Sequence, residues 1–130
     1  YIRQYAGTFL SDAKINLHLN QSANSPSIEL DGHTRRHIFL LVKESLHNIV
    51  KHAGAGKVEI NITIEDHFII SIADNGKGIN AAQKEFSGNG LRNMQQRINT
   101  LKGSMQILDQ EGTTLIFSIP LSSLYNKSVS

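Results

Sequence analysis

Apolar and polar residues follow two different periods along this chain. Over residues 33–53, apolar residues recur every three or four positions, which is the spacing of one face of an α-helix. Shorter stretches with this spacing predict helices over 1–13 and 90–101, and glycines at 54, 56 and 103 favour helix ends. The apolar stripe of the central helix comprises Ile38, Leu41, Val42, Leu46, Ile49, Val50 and Ala53.

Other segments alternate with a period of two, which predicts strands with one buried face. These strands are expected at 14–20, 57–64, 68–73, 104–108 and 114–120. The short connections 65–67 and 109–113 predict hairpins, and the polar stretches 21–32 and 74–89 predict loops.

The order of these elements is α-β-α-β-β-α-β-β. It favours an α+β two-layer sandwich in which three helices cover one face of a mixed sheet of about five strands. We therefore expect one domain over residues 1–121, followed by a polar tail over 122–130.

Composition excludes several classes of protein. The 130 residues are 39% hydrophobic and 18% charged, as in ordinary globular domains. No apolar run approaches the roughly 18 residues of a membrane span, so we expect no membrane contact by this domain. The net charge is only +2 and the basic residues are scattered, which argues against nucleic acid as a partner. The chain has no cysteine, which excludes disulfides and permits a reducing cytoplasm.

The polar face of the central helix carries residue types that suit a metal and phosphate site. Glu44, Asn48, Lys51 and His52 are spaced i, i+4, i+7 and i+8, so an α-helix would project them on one side. Asn48 would offer an oxygen to hydrated Mg²⁺, and Lys51 would counter phosphate charge. Glu44 would hold a coordinating water or orient a nucleophile. Taken alone, this face is explained equally well as solvated helix surface.

Three glycine-containing segments follow the central helix. Asp74 begins the sequence DNGKG directly after an apolar strand, where its carboxylate can accept a hydrogen bond from the amine of adenine. Gly76 and Gly78 would let the backbone approach a flat ring. Each of these features, taken singly, is explained more simply as a turn.

The other two segments lie nearer the C-terminus. The sequence GNGL, residues 88–91, opens a helix, where backbone N–H groups favour an anion such as phosphate. Gly112-Thr113-Thr114 precedes the last strand, and its hydroxyls would join a hydrogen-bond network with adenine and Asp74. A third glycine after Gly90 is missing, which excludes a dinucleotide-binding fingerprint.

Taken in order, these segments resemble the motifs of the GHKL superfamily, which includes gyrase, the heat-shock chaperone ATPase, histidine kinases and the mismatch-repair ATPase. ESLHNIVKHA (44–53) resembles its N box, DNGKG (74–78) its G1 box, GNGL (88–91) its G2 box, and GTTLIFSIP (112–120) its last glycine-containing strand. The resemblance spans nearly the whole chain and implies a Bergerat ATP-binding fold.

The resemblance also implies a role for each motif residue. Mg²⁺ would be bound by Asn48, and adenine by Asp74 with Gly76 and Gly78 close to the ring. Thr113 or Thr114 would reach the adenine side. The ATP phosphates would lie near Lys51, His52, Gly88 and Gly90, with Leu91 completing the GNGL motif.

Within the superfamily, the pattern E-x-x-x-N-x-x-K-H-A is most similar to sensor histidine kinases of the nitrate-sensor and membrane-fluidity-sensor type. Such a domain donates the γ-phosphate of ATP to a histidine on a separate dimerisation domain, with a response regulator downstream. Glu44 and Lys51 are then the candidate catalytic residues. The interval Ile79–Ser87 would be a short ATP lid, mobile without nucleotide.

The phosphoacceptor motif of that family, a histidine followed by an acidic residue, does not occur here. We therefore expect the chain to be the ATP-binding part, on the cytoplasmic side, of a longer membrane-bound sensor.

Two alternatives stay open. An anti-sigma-factor serine kinase shares this fold and would phosphorylate a hydroxyl, and a non-catalytic module would bind nucleotide or a partner without transfer.

Overall fold

The computed structural model describes residues 2–21, 32–54, 56–76, 88–109 and 112–121. Within these ranges, the helices are α1 (Ile2–Asp12), α2 (Gly32–Asn48) and α3 (Gly88–Thr100), and a π-helical segment (Ile49–Ala53) continues α2. The strands are β1 (Asn16–Gln21), β2 (Lys57–Ile64), β3 (His67–Asp74), β4 (Ser104–Asp109) and β5 (Thr113–Pro120). Residues 22–31 of the predicted loop, the predicted lid 79–87 and the predicted tail 122–130 lie outside the described residues.

The strands form one mixed sheet in the order β1-β2-β3-β5-β4. The pair β1 and β2 is parallel, and the other neighbouring pairs are antiparallel. Val58 of β2 pairs with Asp74, and Ala73 pairs with Thr114 of β5. One end of the sheet therefore brings together, side by side, the start of β2, the end of β3 and the start of β5.

The core lies between one face of this sheet and the helices. Every second residue of β2, β3 and β5 is buried, as expected for strands with one covered face. Leu10 of α1, Leu41 of α2 and Ile98 of α3 belong to the same apolar cluster as these strand residues. The two-layer α+β fold predicted from the sequence is confirmed.

The central helix differs from its prediction after Asn48. The α-helical backbone gives way there to the π-helical segment, which ends at Gly54 with φ 62° in the left-handed region. A π turn is wider than an α turn, so the three- and four-residue spacing does not continue into this segment. The prediction that Val50 is buried was wrong, since its side chain is 38% exposed.

Ser45 belongs to the buried face of α2, although the apolar pattern did not include it. Its side chain is fully buried, and its hydroxyl donates to the carbonyl oxygen of Leu41 at 2.7 Å. A polar group satisfied in this way within its own helix can be buried at little cost. The Oγ also lies 3.3 Å from Sδ of Met94, which joins α2 to α3.

Most other boundaries agree with the sequence to within two residues. β1 begins at Asn16 rather than Lys14, because Lys14 takes φ 61° in the turn after α1. Gln21 and Gly32, which we expected in a loop, belong to β1 and α2. Among the described residues, no helix is long and apolar enough to cross a membrane.

Candidate functional site

Asp74 is the last residue of β3, and its carboxylate is held by the backbone. The side chain is 8% exposed, and Oδ1 accepts the N–H of Gly76 at 2.8 Å. The backbone N–H of Thr113 also donates to this carboxylate. An ionised carboxylate has roughly four acceptor positions, so two backbone donors fix its orientation and leave capacity for a ligand.

The surroundings of Asp74 disfavour the ionised form of its carboxyl group. Burial raises the pKa of its carboxyl above the ordinary value, and the negative charge of Asp109 adds to this rise. The hydrogen bonds from Gly76 and Thr113 lower the pKa and oppose part of the effect. A buried carboxylate with spare acceptor capacity is costly unless something donates to it, which marks Asp74 as a candidate ligand-binding group.

The structure separates the two threonines that the sequence left open. Thr113 is 5% exposed and lies on the buried face of β5, the same face of the sheet as Asp74. Thr114 points to the opposite face, where it is half-buried and pairs with Ala73. The structure therefore brings Thr113, but not Thr114, beside Asp74.

Gly112 lies closer to the end of β3 than its sequence indicates. Its φ is +114°, and a Cβ at this position would overlap the backbone carbonyl oxygen of Asp74. The same Cβ would lie 3.1 Å from Cα of Asn75. Only glycine fits such a position, so the G of the GTT sequence is what lets β5 start directly against Asp74.

The N-box residues lie where α2 becomes π-helical. Glu44 and Asn48 are both on α-helical backbone, one turn apart and half-buried, so the predicted i, i+4 relation holds between them. The side chain of Asn48 makes no capping hydrogen bond to the π-helical segment. Lys51 is exposed on that segment, where α-helical spacing no longer applies, and the side chain of His52 lies outside the described part of the structure.

The end of the N box is tied to the residue that follows Asp74. Oδ1 of Asn75 accepts the N–H of Gly56 at 3.0 Å and the N–H of Lys57 at 2.9 Å. Gly56 comes three positions after the end of the π-helical segment. These bonds tie the start of β2, which follows the N box in sequence, to the end of the sheet where Asp74 and Thr113 lie.

The start of α3 lies at the same end of the molecule. Met94 of α3 contacts Ser45 of α2. Further along α3, Nη1 of Arg97 lies 3.3 Å from Nδ1 of His37, which precedes Ser45 in α2. Because a later residue of α3 meets an earlier residue of α2, α3 runs back along α2 and begins beside the end of that helix. The segment containing Gly88, Gly90 and the half-buried Leu91 thus approaches the N box. Gly78 lies outside the described residues.

Four of the predicted motif segments therefore converge on one end of the sheet. They are the end of α2, the end of β3, the start of α3 and the start of β5. A cleft of about 870 Å³ lies at the opposite end, against Gln21, Ile64 and Phe68. None of the motif residues that the structure describes lines that cleft.

This fold, with its motif segments at one end of the sheet, belongs to a known class of protein. The family described as Histidine kinase-, DNA gyrase B-, and HSP90-like ATPase matches residues 33–123, which is most of the chain. The chain therefore belongs to this family of ATPases, and its resemblance to the GHKL superfamily is confirmed.

Several curated relatives have more specific names. The chain is 34% identical over 128 residues to the signal transduction histidine-protein kinase/phosphatase DegS of Brevibacillus brevis, with 94% of the chain and 32% of that protein covered. It is 35% identical over 89 residues to the sensor histidine kinase YvfT of Bacillus subtilis, with 68% and 24% covered. The chain thus spans a third or less of the length of these relatives.

Solved structures share the fold. The histidine kinase domain of a blue-light activated histidine kinase from Erythrobacter litoralis gives a TM-score of 0.81 at 20% identity, covering 97% of this chain and 66% of that one. The ATP binding domain of PrrB from Mycobacterium tuberculosis gives 0.71 at 21% identity, covering 92% and 90%. At these identities the likeness establishes the fold.

Proposed function

We propose that this chain binds Mg²⁺–ATP and donates the γ-phosphate to a histidine on a separate dimerisation domain, as the catalytic domain of a two-component sensor histidine kinase. The observation that carries the proposal is Asp74, a buried carboxylate held by two backbone N–H groups at the end of a strand, in a chain that belongs to an ATPase family. The relatives named above are sensor kinases, which favours histidine as the acceptor.

Adenine binds on the side of Asp74. The carboxylate accepts a hydrogen bond from the exocyclic amine, and the buried Thr113 lies beside it on the same face of the sheet. Gly76, whose N–H orients the carboxylate, and Gly78 bring the backbone close to the ring. We assign the adenine side to Thr113 rather than Thr114 because Thr114 faces away.

The phosphates bind on the side of the N box and the start of α3. Asn48 holds Mg²⁺ through its amide oxygen, since this amide is not used as a helix cap. Bound Mg²⁺ supplies charge neutralisation of the phosphates. The phosphates lie near Lys51 and His52, and near the backbone of the GNGL motif with its residues Gly88, Gly90 and Leu91.

Catalysis consists of positioning and charge neutralisation, because phosphoryl transfer requires little covalent chemistry from the protein. Lys51, exposed on the π-helical segment, balances negative charge on the transferred group. Glu44, half-buried one turn before Asn48, orients the incoming imidazole or accepts its proton.

The proposal extends to the context of the domain. Residues 1–121 form the catalytic domain and 122–130 its tail. The domain is the cytoplasmic part of a membrane-bound sensor of the nitrate-sensor and membrane-fluidity-sensor type. Its partners are the dimerisation domain of the same kinase and a response regulator. The names of the relatives support a sensor kinase, and the short interval between the G1 and G2 boxes supports the nitrate-sensor and membrane-fluidity-sensor type.

The adenine assignment is tested by ATP titration with and without Mg²⁺. We expect Mg²⁺ to strengthen ATP binding by wild type and Asp74→Asn to weaken it at least tenfold, about 1.4 kcal/mol. Asp12→Asn is the matched control, because Asp12 is an exposed carboxylate at the end of α1. Undiminished binding by the Asp74 variant would exclude Asp74 as the adenine acceptor.

A further inference from the structure

The side chain of Asn75 makes a set of bonds separate from those of Asp74. Its Oδ1 accepts two backbone N–H groups, from Gly56 at 3.0 Å and Lys57 at 2.9 Å. The backbone N–H of Asn75 also donates to the carbonyl oxygen of Lys57, at 3.3 Å. Because backbone N–H groups only donate, the accepting atom must be the amide oxygen, which fixes the orientation of this amide.

These bonds join the phosphate side of the proposed site, at the N box, to its adenine side, at Asp74 and Thr113. On one side, Gly56 ends the short connection from the π-helical segment, which begins directly after Asn48. On the other side, Asn75 adjoins Asp74, and its Cα lies close to Gly112 at the start of β5. Asn75 is thus the residue at which the chain leaving the N box meets the strands that hold Asp74 and Thr113.

We propose that Asn75 is a positioning residue for Mg²⁺–ATP. Through Gly56 and Lys57, its amide oxygen sets the position of the N-box end relative to Asp74. ATP spans the adenine side and the phosphate side at once, so its affinity depends on the distance between them. This inference rests on the ATP binding proposed above.

The test compares the affinity for Mg²⁺–ATP of wild type and four variants, measured by calorimetry well below each melting temperature so that every variant is folded. Asn75→Ala removes the acceptor, and Asn75→Gln keeps the amide but displaces its oxygen by one methylene. Both should weaken Mg²⁺–ATP roughly tenfold, as expected for two lost hydrogen bonds. Asn75→Asp keeps an oxygen at the same position and should restore affinity to within about threefold of wild type.

Asn61→Ala is the matched control. The amide of Asn61 also makes two side-chain hydrogen bonds, accepting from Asn20 at 2.9 Å and donating to Glu59 at 3.2 Å. Asn61 lies mid-strand on β2, on the face of the sheet opposite the core. Its loss should lower the melting temperature while leaving Mg²⁺–ATP affinity within twofold of wild type.

Amide hydrogen exchange gives a second readout on the same proteins. The amides of Gly56 and Lys57 should exchange faster in Asn75→Ala and remain protected in Asn61→Ala. Unchanged exchange, or Mg²⁺–ATP affinity within twofold of wild type in Asn75→Ala, would overturn the positioning role, as would failure of Asn75→Asp to restore binding. If wild type itself did not bind ATP, the proposed function would be overturned as well. Failure of the positioning role alone would leave ATP binding by wild type intact, so the two outcomes are distinguishable.

Discussion

Thr113 donates its backbone N–H to the carboxylate of Asp74, across the adjoining ends of β5 and β3. The orientation of this carboxylate therefore depends on the backbone of Thr113, and the proposed ligand contact of Thr113 is made by its hydroxyl. The neighbouring residue Thr114 lies on the other face of the sheet. This difference between two adjacent threonines can be tested directly.

We expect Thr113→Val to weaken ATP binding a few-fold, because it removes the hydroxyl while keeping the backbone donor and the shape of the side chain. An uncharged hydrogen bond contributes about 0.5–1.5 kcal/mol. Thr114→Val is the control and should leave affinity unchanged. Calorimetric titration of both variants checks this, and equal losses would contradict the assignment of Thr113 to the adenine side.

The pKa of Asp74 predicts opposite pH dependences of stability and binding. Because burial raises the pKa in the folded state, the folded protein holds the proton more tightly than the unfolded chain. The stabilisation from protonation is fully present below the unfolded pKa, about 4, and is lost as pH rises through the folded pKa. Under the proposed adenine assignment, ATP binding requires the ionised carboxylate of Asp74, so we expect it to weaken as pH falls through the same window.

Asp74→Asn should remove the contribution of Asp74 to both pH dependences. Its amide oxygen can still accept from Gly76 and Thr113, and it carries no buried charge, so we expect its melting temperature at neutral pH to equal or exceed that of wild type. Thermal melts and ATP titrations of both proteins from pH 4 to 8 measure the difference. A large loss of stability in the variant would show that the carboxylate serves the fold.

Gly112 provides a test of the close approach at Asp74. Gly112→Ala places a Cβ against the carbonyl oxygen of Asp74 at a φ of +114°, so it should cost about 1–3 kcal/mol or more and weaken ATP binding. Gly7→Ala is the control, because a Cβ there meets nothing within 4 Å and Gly7 lies inside α1. That change should stabilise the fold by about 0.5–1 kcal/mol. Urea denaturation measures both, and a neutral effect of Gly112→Ala would contradict the geometry.

The two methionines of the chain test the packing of α3 on α2. Met94 is fully buried against Ser45, so Met94→Ala should reduce the free energy of unfolding by about 2–5 kcal/mol. Met105 is only half-buried on the edge strand β4, and Met105→Ala should cost clearly less. Chemical denaturation of the pair checks the ranking, and equal losses would contradict the role of Met94 as the central contact between these helices.

Much of this architecture could be predicted from sequence because its strands alternate cleanly. β2 matches its predicted bounds at both ends, and β3 extends beyond its prediction by one residue on each side. The extension matters at Asp74, which is a strand residue on the buried face rather than the first residue of a loop. Alternation marks apolar strand residues well, but it gives no reason to continue a strand into a carboxylate.

Other features depend on local changes of the backbone or on contacts distant in sequence, neither of which the apolar pattern reveals. The change to π-helical backbone after Asn48 exposes Val50, and the burial of Ser45 depends on its bond to Leu41 and its contact with Met94. The role of Asn75 was likewise hidden, because DNG is common turn chemistry and its partners Gly56 and Lys57 lie far from it in sequence.

Phosphate transfer to a histidine is the most direct test of the proposed kinase. The chain would be mixed with Mg²⁺, ATP labelled at the γ-phosphate, and a matching dimerisation domain of a sensor histidine kinase. We expect label on that domain that is labile to acid and stable to base, as a phosphohistidine is, and at least tenfold less label with Asp74→Asn at subsaturating ATP. Acid-stable label on a hydroxyl would favour a serine kinase, and ATP binding without any transfer would favour a non-catalytic module. Either result would contradict the histidine kinase function.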